Sequence, residues 1–244
     1  CSLPTINITL TQPPASVIND TITDVDCFGN ATGAIDVSYS TAPSVNQLSY
    51  SWSNGATTQD ISNITEGWYT LTVLENGICP TEVSFYVDEP PIISVIENVQ
   101  HVSCFGGSDA SVDLEILGGV PIYSTDWLGQ NSQGLSIGSY SYTVTDQNSC
   151  FYANTVTITQ PSELTVSNSI TAASCNNGTD GVATLFISGG ISPYTSVWLN
   201  ADPMQLNAGY HTFTTHDDNG CVFEDSVFIQ QPSPLQITEN TTDV

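Results

Sequence analysis

Seven cysteines, three histidines and 25 acidic side chains carry the reactive chemistry of this 244-residue chain. The cysteines fall into two series. Cys27, Cys104 and Cys175 are spaced by 77 and 71 residues, and Cys1, Cys79, Cys150 and Cys221 by 78, 71 and 71. A nucleophilic cysteine needs a base beside it, and structural zinc needs four ligands. No histidine recurs beside either series and no C-x-x-C spacing occurs. Disulfides are the chemistry left. Six cysteines allow fifteen connectivities, but equal units favour one local pairing repeated three times: Cys27–Cys79, Cys104–Cys150 and Cys175–Cys221. Such bonds imply an oxidising, extracytoplasmic compartment.

The other candidates lack partners. His101, His211 and His216 have no nucleophile or oriented acid repeated beside them, so no catalytic residue is expected and the chain is read as not an enzyme. Asp24-Val25-Asp26 and Asp217-Asp218-Asn219 gather oxygens, and calcium takes six to eight of them. Neither has EF-hand spacing. The expectation is no cofactor and no specific metal site, with only diffuse Ca2+ binding by net charge.

The chain has no Lys or Arg, where average usage would place about thirty. A P-loop lysine, a Schiff-base lysine and an arginine finger are excluded with them. The formal charge of −25 excludes nucleic acid, whose binding requires phosphate neutralisation, and repels anionic membrane surfaces. No apolar run approaches the length of a membrane span, so direct membrane insertion is not expected, and any secretion signal lies outside this chain. Hydrophobic residues at 39% and aromatics at 9% still supply a core, so the acidity is not that of a disordered tail.

The elements that position the cysteines repeat with them. Trp52, Trp127 and Trp198, then Gly67, Gly138 and Gly209, then Glu89-Pro90, Gln160-Pro161 and Gln231-Pro232 keep the same beat. The organisation is read as 1–13, the C-terminal strand of a preceding repeat; 14–90, 91–161 and 162–232, three repeats; and 233–244, the first strand of a following one. Within a unit the periodicity is two, as in Ser111-Val112-Asp113-Leu114-Glu115-Ile116 and Tyr140-Ser141-Tyr142-Thr143-Val144-Thr145. Gly-rich and Asn/Asp-rich turns separate such runs. The fold class expected is all-β: a tandem array of small Ig-like antiparallel β-sandwich repeats, about 71–77 residues each by these spacings, each with one intra-repeat disulfide. The Trp is the expected core anchor. Tyr69, Tyr140 and His211 fit a tyrosine corner. Trp68 has no aromatic at the matching Ser139 and only a partial match at Tyr210, and is read as core or edge packing.

Cys104-Phe105-Gly106-Gly107-Ser108-Asp109, Gly118-Gly119-x-Pro121-x-Tyr123, Leu135-x-x-Gly138-x-Tyr140, Thr145-Asp146-x-x-x-Cys150 and Val156-x-Ile158-x-Gln160-Pro161 resemble the SprB repeat. The third unit keeps most of this. The first departs, with Ala42-Pro43 for the double Gly and Glu75 for Asp146. The resemblance implies a structural stretch of a long extracellular adhesin filament of Bacteroidota. Such filaments are exported by the type IX pathway, attached at the outer membrane of a Gram-negative cell, and in gliders propelled along it. It also implies attachment through surface polysaccharide or another adhesion ligand, contacts with neighbouring repeats of the same chain, and self-assembly into filaments. O-glycosylation in this group, at Asp-Ser/Thr before an apolar residue, would fall on Thr21 and Ser226. The alternatives are glycan-binding Ig-like modules, or the stalk of a large secreted enzyme.

Overall fold

The computed structural model describes residues 17–40, 47–77 and 79–239. Cys1, the side chain of Cys79, the segment 1–13 and the pair Ala42-Pro43 lie outside that description. The described part holds seventeen strands and no helix.

The first repeat contributes β1 (Val17–Thr23), β2 (Gly33–Ser40), β3 (Leu48–Trp52), β4 (Ile61–Ile64), β5 (Gly67–Glu75) and β6 (Cys79–Val87). They form two antiparallel sheets in the orders β1-β2-β4 and β3-β5-β6. The second contributes β7 (Ser94–Gln100), β8 (Ala110–Leu117), β9 (Ser124–Asp126), β10 (Gln133–Leu135), β11 (Gly138–Thr145) and β12 (Phe151–Ile158), ordered β7-β8-β10 and β9-β11-β12. The third has β13 (Thr165–Thr171), β14 (Val182–Ser188), β15 (Thr195–Trp198), β16 (Gly209–His216) and β17 (Val222–Ile229), ordered β13-β14 and β15-β16-β17. A single bridge, Gly181 with Leu206, stands where the other repeats have their fourth strand. These orders are the A-B-E and C-F-G sheets of an immunoglobulin sandwich without strand D.

Alternation explains the core. Ile35 and Val37 of β2 face Leu71 and Val73 of β5, with Trp52, Phe85 and Val87 completing the cluster. Burying each aliphatic side chain here contributes about 1.5–3 kcal/mol. The tryptophans sit at or just beyond the end of the C-type strand. Their ring centroids lie 5.8 Å (Trp52–Phe85), 5.0 Å (Trp127–Tyr142) and 5.2 Å (Trp198–Phe213) from core aromatics. The corner residues also behave as expected: the Tyr69 and Tyr140 hydroxyls donate to the Thr65 and Ser136 carbonyls at 3.0 Å. His211 Nε2 reaches the Asn207 carbonyl at 2.8 Å.

The disulfides differ from the expected pairing. Cys27 bonds Cys150 and Cys104 bonds Cys221, with Cα atoms 5.6 Å apart in both. Cys175 is free and exposed. None of the intra-repeat pairs expected at Cys27, Cys104, Cys150, Cys175 and Cys221 forms. Strand direction is the reason. Cys27 follows β1 at the end of the repeat where Val25 N donates to Asp88 O, just past β6. Cys79 pairs with Glu75 at the other end of β6. Eight residues of extended strand separate those ends by about 26 Å, whereas a disulfide needs Cα atoms within about 7 Å.

The described chain divides into two compact units. One holds the residues up to Ile96 with Ile116–Asp126 and Thr143–Ala153; the other holds Glu97–Glu115, Trp127–Tyr142 and the residues from Asn154 onward. Each unit contains one disulfide. Residues 233–239, expected to begin a strand, form none; Leu235 and Ile237 there are largely exposed.

Candidate functional site: the stapled turns

Each staple joins the turn after the first strand of one repeat to the turn before the last strand of the next. In the first unit the Asn148 side-chain amide donates to the Asp26 carbonyl at 2.9 Å, and the Cys150 sulfur lies 3.2 Å from the same oxygen. In the second, Asn219 donates to the Ser103 carbonyl at 2.9 Å beside the Cys221 sulfur at 3.5 Å. The two sites are copies.

A buried aspartate builds the closing turn in both. Asp146 accepts the amides of Val120, Asn148 and Cys150, all at 2.9 Å. Asp217 accepts those of Ile191 at 2.9 Å and Cys221 at 2.8 Å. Backbone N–H dipoles satisfy both carboxylates. Asp217, which the sequence places in an oxygen-rich turn, thus serves as that turn's backbone acceptor. Asp24 and Asp26 are likewise engaged, accepting Asp88 N (2.9 Å) and the Thr32 hydroxyl (2.7 Å). Among the described residues no group of three or more His, Cys, Asp or Glu side chains is placed to hold a metal. The sequence signal for this anchor is the spacing of 71 between Asp146 and Asp217, each four residues before its closing Cys.

The double glycine lets the linker press against this turn. Gly119 N donates to Pro91 O at 2.7 Å, and Gly190 N to Ser162 O at 2.9 Å. Gly118 and Gly189 have φ of +74° and +73°, and a Cβ there would lie 2.0 Å from Ile92 O and 1.8 Å from Glu163 O. Gly189→Ala should therefore destabilise the chain by about 2–3 kcal/mol, from left-handed strain plus backbone displacement. Chemical denaturation would measure this; a change below about 0.5 kcal/mol, the range of a neutral surface site, would contradict it.

The opening turn is the same three times. Gly29, Gly106 and Asn177 amides donate to Glu89 (2.7 Å), Gln160 (2.9 Å) and Gln231 (2.7 Å) of the X-Pro pairs. Asp109 and Asp180 accept Ser103 N (3.0 Å) and Ser174 N (2.9 Å), while the first repeat exchanges the partners as Asp26 with Thr32. Cys175 is thus presented as Cys27 and Cys104 are. Hydrogen bonds from Thr32, Ser103 and Ser174, in that order, hold the Asp26, Asp109 and Asp180 carboxyls below their ordinary value of 3.8. A depressed folded-state value means these contacts stabilise the turns above pH 3.8 and are lost as pH falls through the depressed value. Carboxyl NMR titration should give all three midpoints below 3.8; a midpoint at or above it would refute the assignment.

The remaining candidates are dispersed. His101 is exposed, its Nδ1 accepting Thr159 N at 3.2 Å, and His216 lies in β16. Thr21 is exposed on β1; Ser226 is half-buried on β17, paired with Thr212. Of the two placements expected for Trp68, core or edge packing, the core one does not hold. It is 70% exposed and packs on Tyr86 across the strands, centroids 5.1 Å apart. Tyr210, 76% exposed, packs on Phe228 at 4.9 Å in the equivalent place. The carboxylate of Glu66, accepting the Tyr86 hydroxyl, pushes that phenol up to about 12.

A family model described as SprB repeat matches residues 96–132 and 167–203, two segments offset by the same 71 residues that separate the staples' aspartates. The chain carries SprB repeats. Each matched SprB segment runs from the first strand of its repeat past the opening cysteine and the double glycine to the tryptophan region. No curated protein matches. Among solved structures, similar chains include the N-terminal eight Ig domains of Down Syndrome Cell Adhesion Molecule isoform 1.30.30. That match has 9% identity and a TM-score of 0.38, covering 92% of this chain and 44% of that one. Another comes from the complex of Dpr2 Ig1-Ig2 with DIP-Theta Ig1-Ig3, at 9% identity and TM-score 0.31, covering 90% and 100%. The SprB repeats thus form a repeat region of a cell-surface protein, and their disulfides fit an extracellular location.

Proposed function

We propose that this chain is a structural stretch of an extracellular adhesin filament, whose SprB repeats hold a distal adhesive region away from the cell and bear tension. The observation carrying this reading is the staggered staple: each disulfide ties one repeat to the next, where a purely folding role would be served within one repeat. Its work is mechanical, and no catalytic step is assigned. Attachment at the outer membrane, export by the type IX route, gliding, and O-glycosylation at the exposed Thr21 belong to the same reading. An antibody to this fragment, used for time-lapse imaging and negative-stain microscopy of living cells, tests it. Label on long surface filaments is expected. Label confined to the medium, or to short particles with hydrolytic activity, would make this the stalk of a secreted enzyme.

The exposed aromatic pairs favour a second reading, in which the repeats themselves bind glycan. Pyranose C–H faces stack on such rings, and a chain with no Lys or Arg and a formal charge of −25 favours an uncharged polysaccharide. Retardation in a native gel containing neutral polysaccharide should be lost in Trp68→Ala combined with Tyr210→Ala. Equal mobility with and without polysaccharide in the unaltered chain would dismiss it.

A further inference from the structure

The two staples interlock along the sequence. Their cysteines occur in the order 27, 104, 150, 221, and the bonds join first to third and second to fourth. Between one staple and the other run three separate stretches of backbone: Cys27 to Cys104, Cys104 to Cys150, and Cys150 to Cys221. All three start at one staple and end at the other. Cutting any single peptide bond between Cys27 and Cys221 therefore leaves two intact covalent routes, and cutting two different stretches leaves one. Pairing inside each repeat would give no such protection, because the linker from Cys79 to Cys104 would then be a sole connection.

We propose that this interlocked pairing has a function of its own: it keeps the array in one covalent piece after its backbone has been cut. The rule extends along any array that repeats the stagger, since every boundary is then crossed by three routes. It holds whether the repeats bear tension or display a binding surface. The composition points the same way. Absence of Lys and Arg removes the sites of trypsin-like proteases, but Leu128, Leu199, Met204 and Phe151 are 66%, 69%, 62% and 73% exposed and open to others. All four lie inside bypassed stretches. Hydrolysis there adds water across one peptide bond and leaves the new carboxylate and amine tethered through the staples.

The lack of any native trypsin site makes the test clean. Single arginines would be introduced as Asp88→Arg in the first stretch, Gln130→Arg in the second and Met204→Arg in the third, with Asp225→Arg beyond the last staple. Each oxidised protein, its free thiols alkylated, would be treated with trypsin in mild urea and its mass compared before and after reduction. Cleavage at 88, 130 or 204 should add one water to the mass and release nothing until reduction, which then yields two fragments. Asp225→Arg should release its C-terminal peptide without reduction. The double variant at 88 and 130 should also stay whole, and the triple variant should fall into two bodies, 1–88 with 131–204 and 89–130 with 205–244. Two fragments from Asp88→Arg before reduction would overturn the proposal. Ser94→Arg, at the start of β7 in the same stretch, repeats the decisive cut should Asp88→Arg not fold; early release from it would overturn the proposal equally.

Discussion

Cys150→Ala should lower the melting temperature by about 10–20 °C, whereas Cys79→Ala leaves the staple to Cys27 in place and should not. The Cys27–Cys150 bond closes a loop of 123 residues. In the chain-entropy description, closing a loop of that length removes up to about 5 kcal/mol of unfolded-state freedom. For a chain of this size each kcal/mol moves the midpoint by about 2–4 °C. Small sandwiches have marginal cores, so the loss should also weaken the packing of Gly118-Gly119 on Pro91 and Ile92. Non-reducing digestion with an acid-specific protease, followed by mass spectrometry, checks the premise directly. A peptide containing Cys27 should be found bonded to one containing Cys150. Recovery of Cys27 bonded to Cys79, or equal destabilisation by both substitutions, would refute it.

Much of this architecture was legible because it depends on local period and spacing. Alternation in Ser111–Ile116 and Tyr140–Thr145 became β8 and β11. The Gly-x-Tyr spacing became a corner whose hydroxyl reaches back four residues. What was misread depends on direction and register. Closeness in sequence made Cys27 and Cys79 look like partners, yet one antiparallel strand carries Cys79 to the far end of the repeat. The next repeat then brings its own closing turn to the end that Cys27 occupies. The clue was present: each corner tyrosine opens a strand that closes at a cysteine, so the two landmarks cannot share an end. The exposure of Trp68 is hidden from the sequence for a related reason. Its ring partner Tyr86 is set by the β5–β6 register and lies 18 residues away, where no helical or strand period would look for it. The exchange of Asp26–Thr32 for Ser103–Asp109 was hidden in the same way, since it preserves a contact while altering both residues.

Asp146→Ala should cost about 3–5 kcal/mol, far more than Asp218→Ala, which should fall within about 0.5 kcal/mol. Both are carboxylates near a closing cysteine, so charge alone does not separate them. Burial and partners do. Asp146 is 6% exposed and accepts three backbone amides, whose N–H groups would be left unpaired by alanine. Asp218 is exposed, and the hydrogen bond it makes to Ile191 O is from its backbone and survives the change. Asn at 146 should fall between: its oxygen can serve Asn148 and Cys150, but its amide then faces the Val120 N–H, donor against donor. The consequence reaches the staple, because the same three amides shape the turn that presents Cys150 to Cys27. A thiol assay on Asp146→Ala should therefore find added free cysteine, with about two thiols per chain where the staple fails to close. Denaturation equal to that of Asp218→Ala, with no added thiol, would show that the buried carboxylate does not organise the turn.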